Sequence, residues 1–239
     1  MIILDKLKYR RILLKLSGEA LSGGANDPIM ADALTNTAKQ IKAISDLGVK
    51  VGIVIGGGNI WRARSAGKIE RNKADHMGML ATAINGLALS DALEKQGVAA
   101  KVFSAVEMQR FCDTFSAREA NKALDEGIVS IFVCGSGSPF FTTDTAAALR
   151  ACEIHAEALL LAKNVDAMYD KNPDIYPDAK KLSHPTYNEL IALGVGGMDQ
   201  TAITLCKEQG IHIAVFPLKG EDSIKNAVYG KNIGTLVDC

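Results

Sequence analysis

The sequence predicts an α/β protein: a three-layer α/β/α sandwich with a mostly parallel central sheet. Two observations carry this. Short aliphatic runs alternate with longer helical patterns along the chain, and several of the runs are apolar without strict alternation, as in strands covered on both faces. Strand–helix–strand repetition then implies right-handed crossovers, which put helices on both sides of the sheet.

Arg11 to Leu16 and Lys50 to Ile55 are the first two strand candidates. Ala99 to Ser104, Ile128 to Cys134, Ala158 to Ala162 and Ile211 to Phe216 follow. Helical patterns cover Ala31 to Leu47, Asp75 to Gln96, Ser116 to Glu126, Thr143 to His155 and Gln200 to Gln209. Three of them run into a glycine (Gly48, Gly97, Gly127), which suits a left-handed C-cap. Asn172 to Thr186 is rich in Pro, Asp and Lys and reads as a surface loop, so residues 1–239 are expected to form one domain.

The 27 basic and 27 acidic residues cancel, leaving no electrostatic reason to coat nucleic acid or an anionic membrane. No apolar run approaches the ~18 residues of a membrane span. The first fifteen residues mix Asp5, Lys6, Lys8, Arg10 and Arg11 with aliphatics, unlike a signal peptide. Five cysteines, odd in number and without CxxC, fit reduced thiols, so a soluble, cytoplasmic protein is expected.

Ligands of open α/β sheets collect beyond the carboxyl ends of strands. Three loops here follow strands and carry unusual residues: Lys15-Leu16-Ser17-Gly18-Glu19; Gly56-Gly57-Gly58-Asn59 with Arg62; and Gly135-Ser136-Gly137-Ser138-Pro139-Phe140-Phe141-Thr142-Thr143-Asp144. Consecutive glycines let backbone N–H groups approach phosphate oxygens, a helix N-terminus attracts anions, and Lys15 and Arg62 supply cations. Each piece also has a plain reading: a tight turn, a Thr or Asp N-cap, a solvated lysine at a strand end. Their occurrence together after strands favours a polyphosphate site with room for a second anion.

Other nucleotide motifs are missing. The chain has no GxxxxGK[ST], no GxGxxG in a first βα unit, and no protein-kinase set. Cys152 and His155 lie three apart on a helical pattern, but two ligands do not make a zinc site. His76 lies near an expected helix start, with no nucleophile paired to it.

Five segments together resemble the bacterial uridylate kinases of the amino-acid-kinase fold family: Arg11 to Leu21, Val54 to Arg62, Asp75-His76-Met77-Gly78-Met79-Leu80-Ala81-Thr82, Pro139 to Ala147, and Met198-Asp199 with Gly234-Thr235-Leu236. The resemblance spans essentially the whole chain. It implies transfer of the ATP γ-phosphoryl group to UMP, giving UDP in pyrimidine nucleotide synthesis. By this resemblance Lys15, Leu16, Ser17 and Gly18 contact the ATP phosphates, with Gly58, Arg62, Lys163, Tyr169 and Asn172 also on the ATP side. Gly57, Asp75, Ser136, Gly137, Ser138, Pro139, Phe140, Phe141, Thr142 and Thr143 surround UMP. Asp144 and Asp199 occupy paired acidic positions that orient Lys15 and deal with Mg²⁺, carried mainly by ATP without direct protein ligands. A homohexamer and feedback by UTP are further family expectations.

The chain departs from the family pattern in three places. Ser136-Gly137-Ser138 stands where Thr-Gly-Asn is usual. Leu161 to Tyr169 displaces a lysine to Lys163 and is followed by Asn172 at a common aspartate position. Gly23-Gly24-Ala25-Asn26-Asp27-Pro28 lacks the Gly-Phe-Gly-like stretch associated with GTP activation.

A phosphate acceptor is largely ionised at neutral pH, its second pKa being about 6, and needs no general base. That agrees with a site of Lys, Arg and Gly without a dedicated histidine. Two alternatives keep the scaffold: a kinase for a carboxylate, carbamate or isoprenyl phosphate, and a nucleotide-binding regulator. The Pro139 to Asp144 segment disfavours the first, and Lys15, Asp144 and Asp199 together disfavour the second.

Overall fold

The computed structural model describes residues 6–24, 27–62, 69–194, 197–218, 220, 222–231 and 233–238. Ala25 and Asn26 of the glycine segment, the first five residues and Cys239 lie outside the described residues.

The chain runs β1 (Arg11–Leu16), a 3-10 turn (Gly18–Leu21), α1 (Ala31–Ser45), β2 (Lys50–Ile55), α2 (Arg71–Lys95), β3 (Ala100–Ser104), β4 (Asp113–Thr114), α3 (Ala117–Asp125) and β5 (Val129–Val133). It continues with α4 (Thr143–Glu153), β6 (Ala158–Lys163), β7 (Met168–Tyr169), β8 (Lys181–Leu182), α5 (Tyr187–Leu193), α6 (Gln200–Gln209), β9 (His212–Pro217), α7 (Ser223–Val228) and β10 (Thr235–Val237). Eight strands form one sheet in the order β10-β9-β6-β1-β2-β5-β3-β4, parallel except for β10.

The pleat sends alternate residues to opposite layers. Ile12, Leu14 and Leu16 pack with α1, α2 and α7; Leu13 packs with α3, α4, α5 and α6. Lys15 shares the face of Leu13 and so points toward α4. It sits beside Val54 on β2 and Leu161 on β6. The expected three-layer sandwich is the one observed.

Gly48, Gly97 and Gly127 have φ of 80°, 76° and 78°, the left-handed conformation expected past the ends of α1, α2 and α3. Other expectations need correction. The second helix starts at Arg71, a turn before Asp75, so His76 stands within the helix and is exposed. Residues 172–186 are not all loop: Lys181–Leu182 pairs with Met168–Tyr169 as an antiparallel hairpin. Thr235 of β10 anchors that hairpin, donating from Oγ1 to Leu182 O (2.6 Å) and accepting from Met168 N (2.8 Å).

The chain leaves β1 toward β2 on one side, and after β5 crosses to β6 on the other. This reversal opens a crevice beyond the carboxyl ends of β1, β2, β5 and β6, where the loops singled out above emerge.

Candidate phosphoryl-transfer site

Lys15 projects from the end of β1 to Asp144 in the first turn of α4, with 2.8 Å between Nζ and Oδ1. Both side chains are largely buried, 15% and 16% exposed. The Lys15 ammonium is thus the ion-pair partner of this buried carboxylate oxygen. Lys163, at the end of β6, completes a group of three: burial pushes its pKa down, Asp144 opposes the shift and Lys15 adds to it. The plain reading of Lys15 as a solvated strand-end lysine does not hold.

Two glycine loops turn above the pair. Gly18 permits a close approach, since a Cβ there would collide with the Asn59 side chain and Gly56 O. A Cβ on Gly57 would come within 2.8 Å of Ala81 Cβ and Gly78 O on α2, whereas Gly58 has only the Arg62 guanidinium at 4.0 Å. Gly57 is therefore fixed by packing while Gly58 stays open. Asn85 on α2 braces this loop, donating to Gly56 O (2.8 Å) and exchanging amide hydrogen bonds with Asn59. Arg62 pairs with Glu19 and donates to Gly58 O (3.1 Å), while Asn164 donates to the other Glu19 oxygen (3.0 Å).

The third loop begins in a left-handed conformation, with φ of 62° at Cys134 and 59° at Gly135. It is held at several points. Thr82 of α2 accepts from Cys134 N (2.8 Å), and Asp75 accepts from Phe140 N (2.9 Å). Thr142 caps α4, accepting from Asp144 N and Thr145 N at 3.1 Å. Asp199 caps α6 through Ala202 N (2.9 Å) and accepts from the hydroxyls of Thr142 and Thr145. The two acids therefore have different partners: Asp144 meets Lys15, and Asp199 ties the starts of α4 and α6 together.

These loops enclose a cavity of about 620 Å³, a size suited to a small ligand. Of the residues expected at the site it gathers Gly57, Gly58, Arg62, Asp75, Ser136, Ser138, Phe141, Thr142 and Thr143. Phe140 is exposed beside it. Tyr169 and Asn172 belong instead to the hairpin: Tyr169 donates to Asp166 Oδ1 (2.8 Å), and Asn172 Oδ1 accepts from Asp174 N (2.9 Å) in a local turn. A separate groove of about 580 Å³, between residues 181–185 and α5, contains none of the expected residues.

Arg71, Trp61 and Thr82 also line the main cavity and were not anticipated. Arg71 pairs with Asp75 (3.0 Å) and sits 5.8 Å from the centre of the Phe140 ring. The i, i+4 spacing of Arg71 and Asp75 was a readable signal for this pair. Among the described residues, no three His, Cys, Asp or Glu side chains gather in a metal-ligating group. Nor is any helix there long and apolar enough to cross a membrane.

A model of the amino acid kinase family matches residues 10–217. The UMP kinase of Ureaplasma parvum is 39% identical with a TM-score of 0.90, the match covering 98% of this chain and 100% of that one. The UMP kinase of Bacillus anthracis is 33% identical with a TM-score of 0.91, covering 96% of each chain. The uridylate kinase of Archaeoglobus fulgidus, 24% identical over 95% of this chain and 99% of that one, shares the fold with a TM-score of 0.72. The family match takes in every loop of the crevice, and the chain belongs to the amino acid kinase family.

Proposed function

We propose that the chain is a single-domain UMP kinase that transfers the γ-phosphoryl group of ATP to UMP, releasing UDP and ADP. The observation that carries the reading is the Lys15–Asp144 pair beside a cavity with two arginines, Arg62 and Arg71, and no paired nucleophile and base. An acceptor already ionised needs alignment and charge neutralisation, which such a site supplies.

UMP occupies the cavity, with its ribose toward Asp75 and its phosphate and base among Gly57, Ser136, Gly137, Ser138, Pro139, Phe140, Phe141, Thr142 and Thr143. The ATP phosphates lie along Lys15, Leu16, Ser17, Gly18, Gly58, Arg62 and Lys163, with the adenine toward Tyr169 and Asn172. A UMP phosphate oxygen forms the new bond to Pγ as the bond from Pγ to the β,γ-bridging oxygen breaks, and ADP leaves with the electron pair. Lys15 neutralises the charge developing on the transferred group. Asp144 holds the Lys15 ammonium in place, and Asp199 fixes the helix starts around it.

Mg²⁺ arriving with ATP would neutralise further charge on the phosphates. Asp144, the carboxylate already paired with Lys15, is the acidic side chain that would face that cation. UTP is the feedback ligand this reading expects. Met77, Leu80, Ile84 and Leu87 form an exposed apolar stripe along α2 and support homo-oligomerisation, with a hexamer as the family form. The four cysteines among the described residues form no disulfide, in keeping with a cytoplasmic setting.

The test is ADP release from ATP and Mg²⁺ with UMP, CMP, dUMP or no acceptor, with and without GTP. Release with UMP alone supports the reading, and release indifferent to UMP overturns it.

A further inference from the structure

A buried arginine outside the cavity bears on how the cavity is shaped. The Arg150 side chain, on α4, is 5% exposed. Its Nη1 pairs with Glu153 (2.5 Å), its guanidinium lies 3.8 Å from the centre of the Phe115 ring, and its Nη2 donates to Gly135 O (3.3 Å). The pairing with Glu153 does not account for the burial, because an i, i+3 ion pair forms equally well on a helix surface. What burial achieves is the reach from α4 to the backbone of the third loop.

The point of contact adjoins a left-handed turn of the loop. Cys134 is left-handed without being glycine, and such backbone persists only where its surroundings determine it. Thr82 grips the Cys134 N–H from α2, and Arg150 grips the Gly135 carbonyl from α4. In a planar trans peptide the C=O and N–H point in opposite directions. Pinning the Gly135 carbonyl toward α4 therefore aims the Ser136 N–H away from it. Released, the peptide is free to turn its carbonyl toward an anionic ligand, which it repels.

We propose that Arg150 is a positioning residue for the acceptor nucleotide: by fixing the Gly135–Ser136 peptide it presents an N–H donor rather than a carbonyl to the cavity. The inference rests on reading that cavity as the UMP site. A guanidinium is suited to the task because its planar fork stacks on Phe115 while sending separate N–H groups to Glu153 and Gly135. Lysine keeps the charge and loses the fork.

The experiment compares wild type, Arg150→Lys and Phe115→Leu. It measures KM for UMP, KM for ATP, equilibrium UMP binding and melting temperature. Losing one charge-assisted hydrogen bond predicts a KM for UMP about tenfold higher in Arg150→Lys, with weaker UMP binding and no matching rise in KM for ATP. Phe115→Leu, which loosens the guanidinium while leaving its hydrogen bonds, shifts KM for UMP in the same direction by less; it carries the test if Arg150→Lys fails to fold. A lower melting temperature with KM for UMP unmoved, or equal rises in both KM values, overturns the proposal. A wild-type enzyme indifferent to UMP overturns the underlying reading instead.

Discussion

Asp75 Oδ2 accepts the backbone N–H of Phe140 at 2.9 Å, joining α2 to the middle of the third loop. Phe140 has φ of 73°, an unfavourable conformation for an aromatic residue, and the hydrogen bond helps hold it there. The same carboxylate pairs with Arg71, so one side chain sets both the loop and a cation of the cavity.

Asp75→Ala therefore removes more than the ribose contact proposed for it: the Phe140 tether and the Arg71 pair go too. KM for UMP is expected to rise by at least ~10-fold, the scale of losing a charged hydrogen-bond partner, with a smaller effect on KM for ATP. Equal effects on both substrates in steady-state kinetics would remove Asp75 from acceptor recognition.

Lys15→Ala is expected to lower turnover by at least ~100-fold, as for other lost transition-state donors. The check is kcat at saturating ATP and UMP. Near-normal turnover would take Lys15 out of the mechanism. Asp144→Asn leaves the ammonium without its ion-pair partner and should also lower kcat.

Lys163 predicts a pH dependence whose sign follows from its burial, the main cause of its lowered pKa. Its pKa is below the ordinary 10.5, so between the two values the unfolded chain binds more protons and stability rises with pH. Its destabilising effect is full below the folded-state pKa and is relieved as pH rises from there toward 10.5. ATP affinity runs the other way, weakening as Lys163 loses its proton below pH 10.5. Calorimetric titration of wild type against Lys163→Met should show this alkaline weakening only in wild type.

Gly57 and Gly58 should respond differently to the same substitution. Gly57→Ala meets Ala81 and Gly78 O and is expected to lower the melting temperature. Gly58→Ala has room for its methyl group and should melt like wild type while raising KM for ATP. Thermal denaturation and kinetics on both variants check the contrast.

Leu80 and Ile84 are 56% and 50% exposed on the α2 stripe. In the oligomer proposed above, replacing both with glutamate should dissociate the assembly without unfolding the subunit, measured by light scattering and circular dichroism. An unchanged mass would exclude α2 from the interface.

Much of the architecture was legible because buried parallel strands are unbroken apolar runs. The bounds of β1 and β2 agree with the sequence reading, and those runs end at Ser17 and Gly56. β7, β8 and β10 are two or three residues long, too short for any periodic signal. The start of α2 was missed because Glu70 makes no side-chain cap hydrogen bond, leaving no capping signature to read. Lys15, Asp144 and the glycine loops announced themselves by residue type and position. Thr82, Thr145 and Arg150 did not, because their roles arise from contacts tens of residues away or across a helix turn: Thr82 reaches Cys134, Thr145 reaches Asp199, and Arg150 reaches back to Gly135.

The two edges of the sheet are β4, two residues long, and β10, three residues long. Open strand edges are templates on which another chain can add a strand, and such short ones offer few backbone groups to copy. Lys101 pairs with Asp113 beside one edge, placing charge where a growing fibril would need to dock. A crowded cell therefore finds little purchase for runaway strand addition on this sheet.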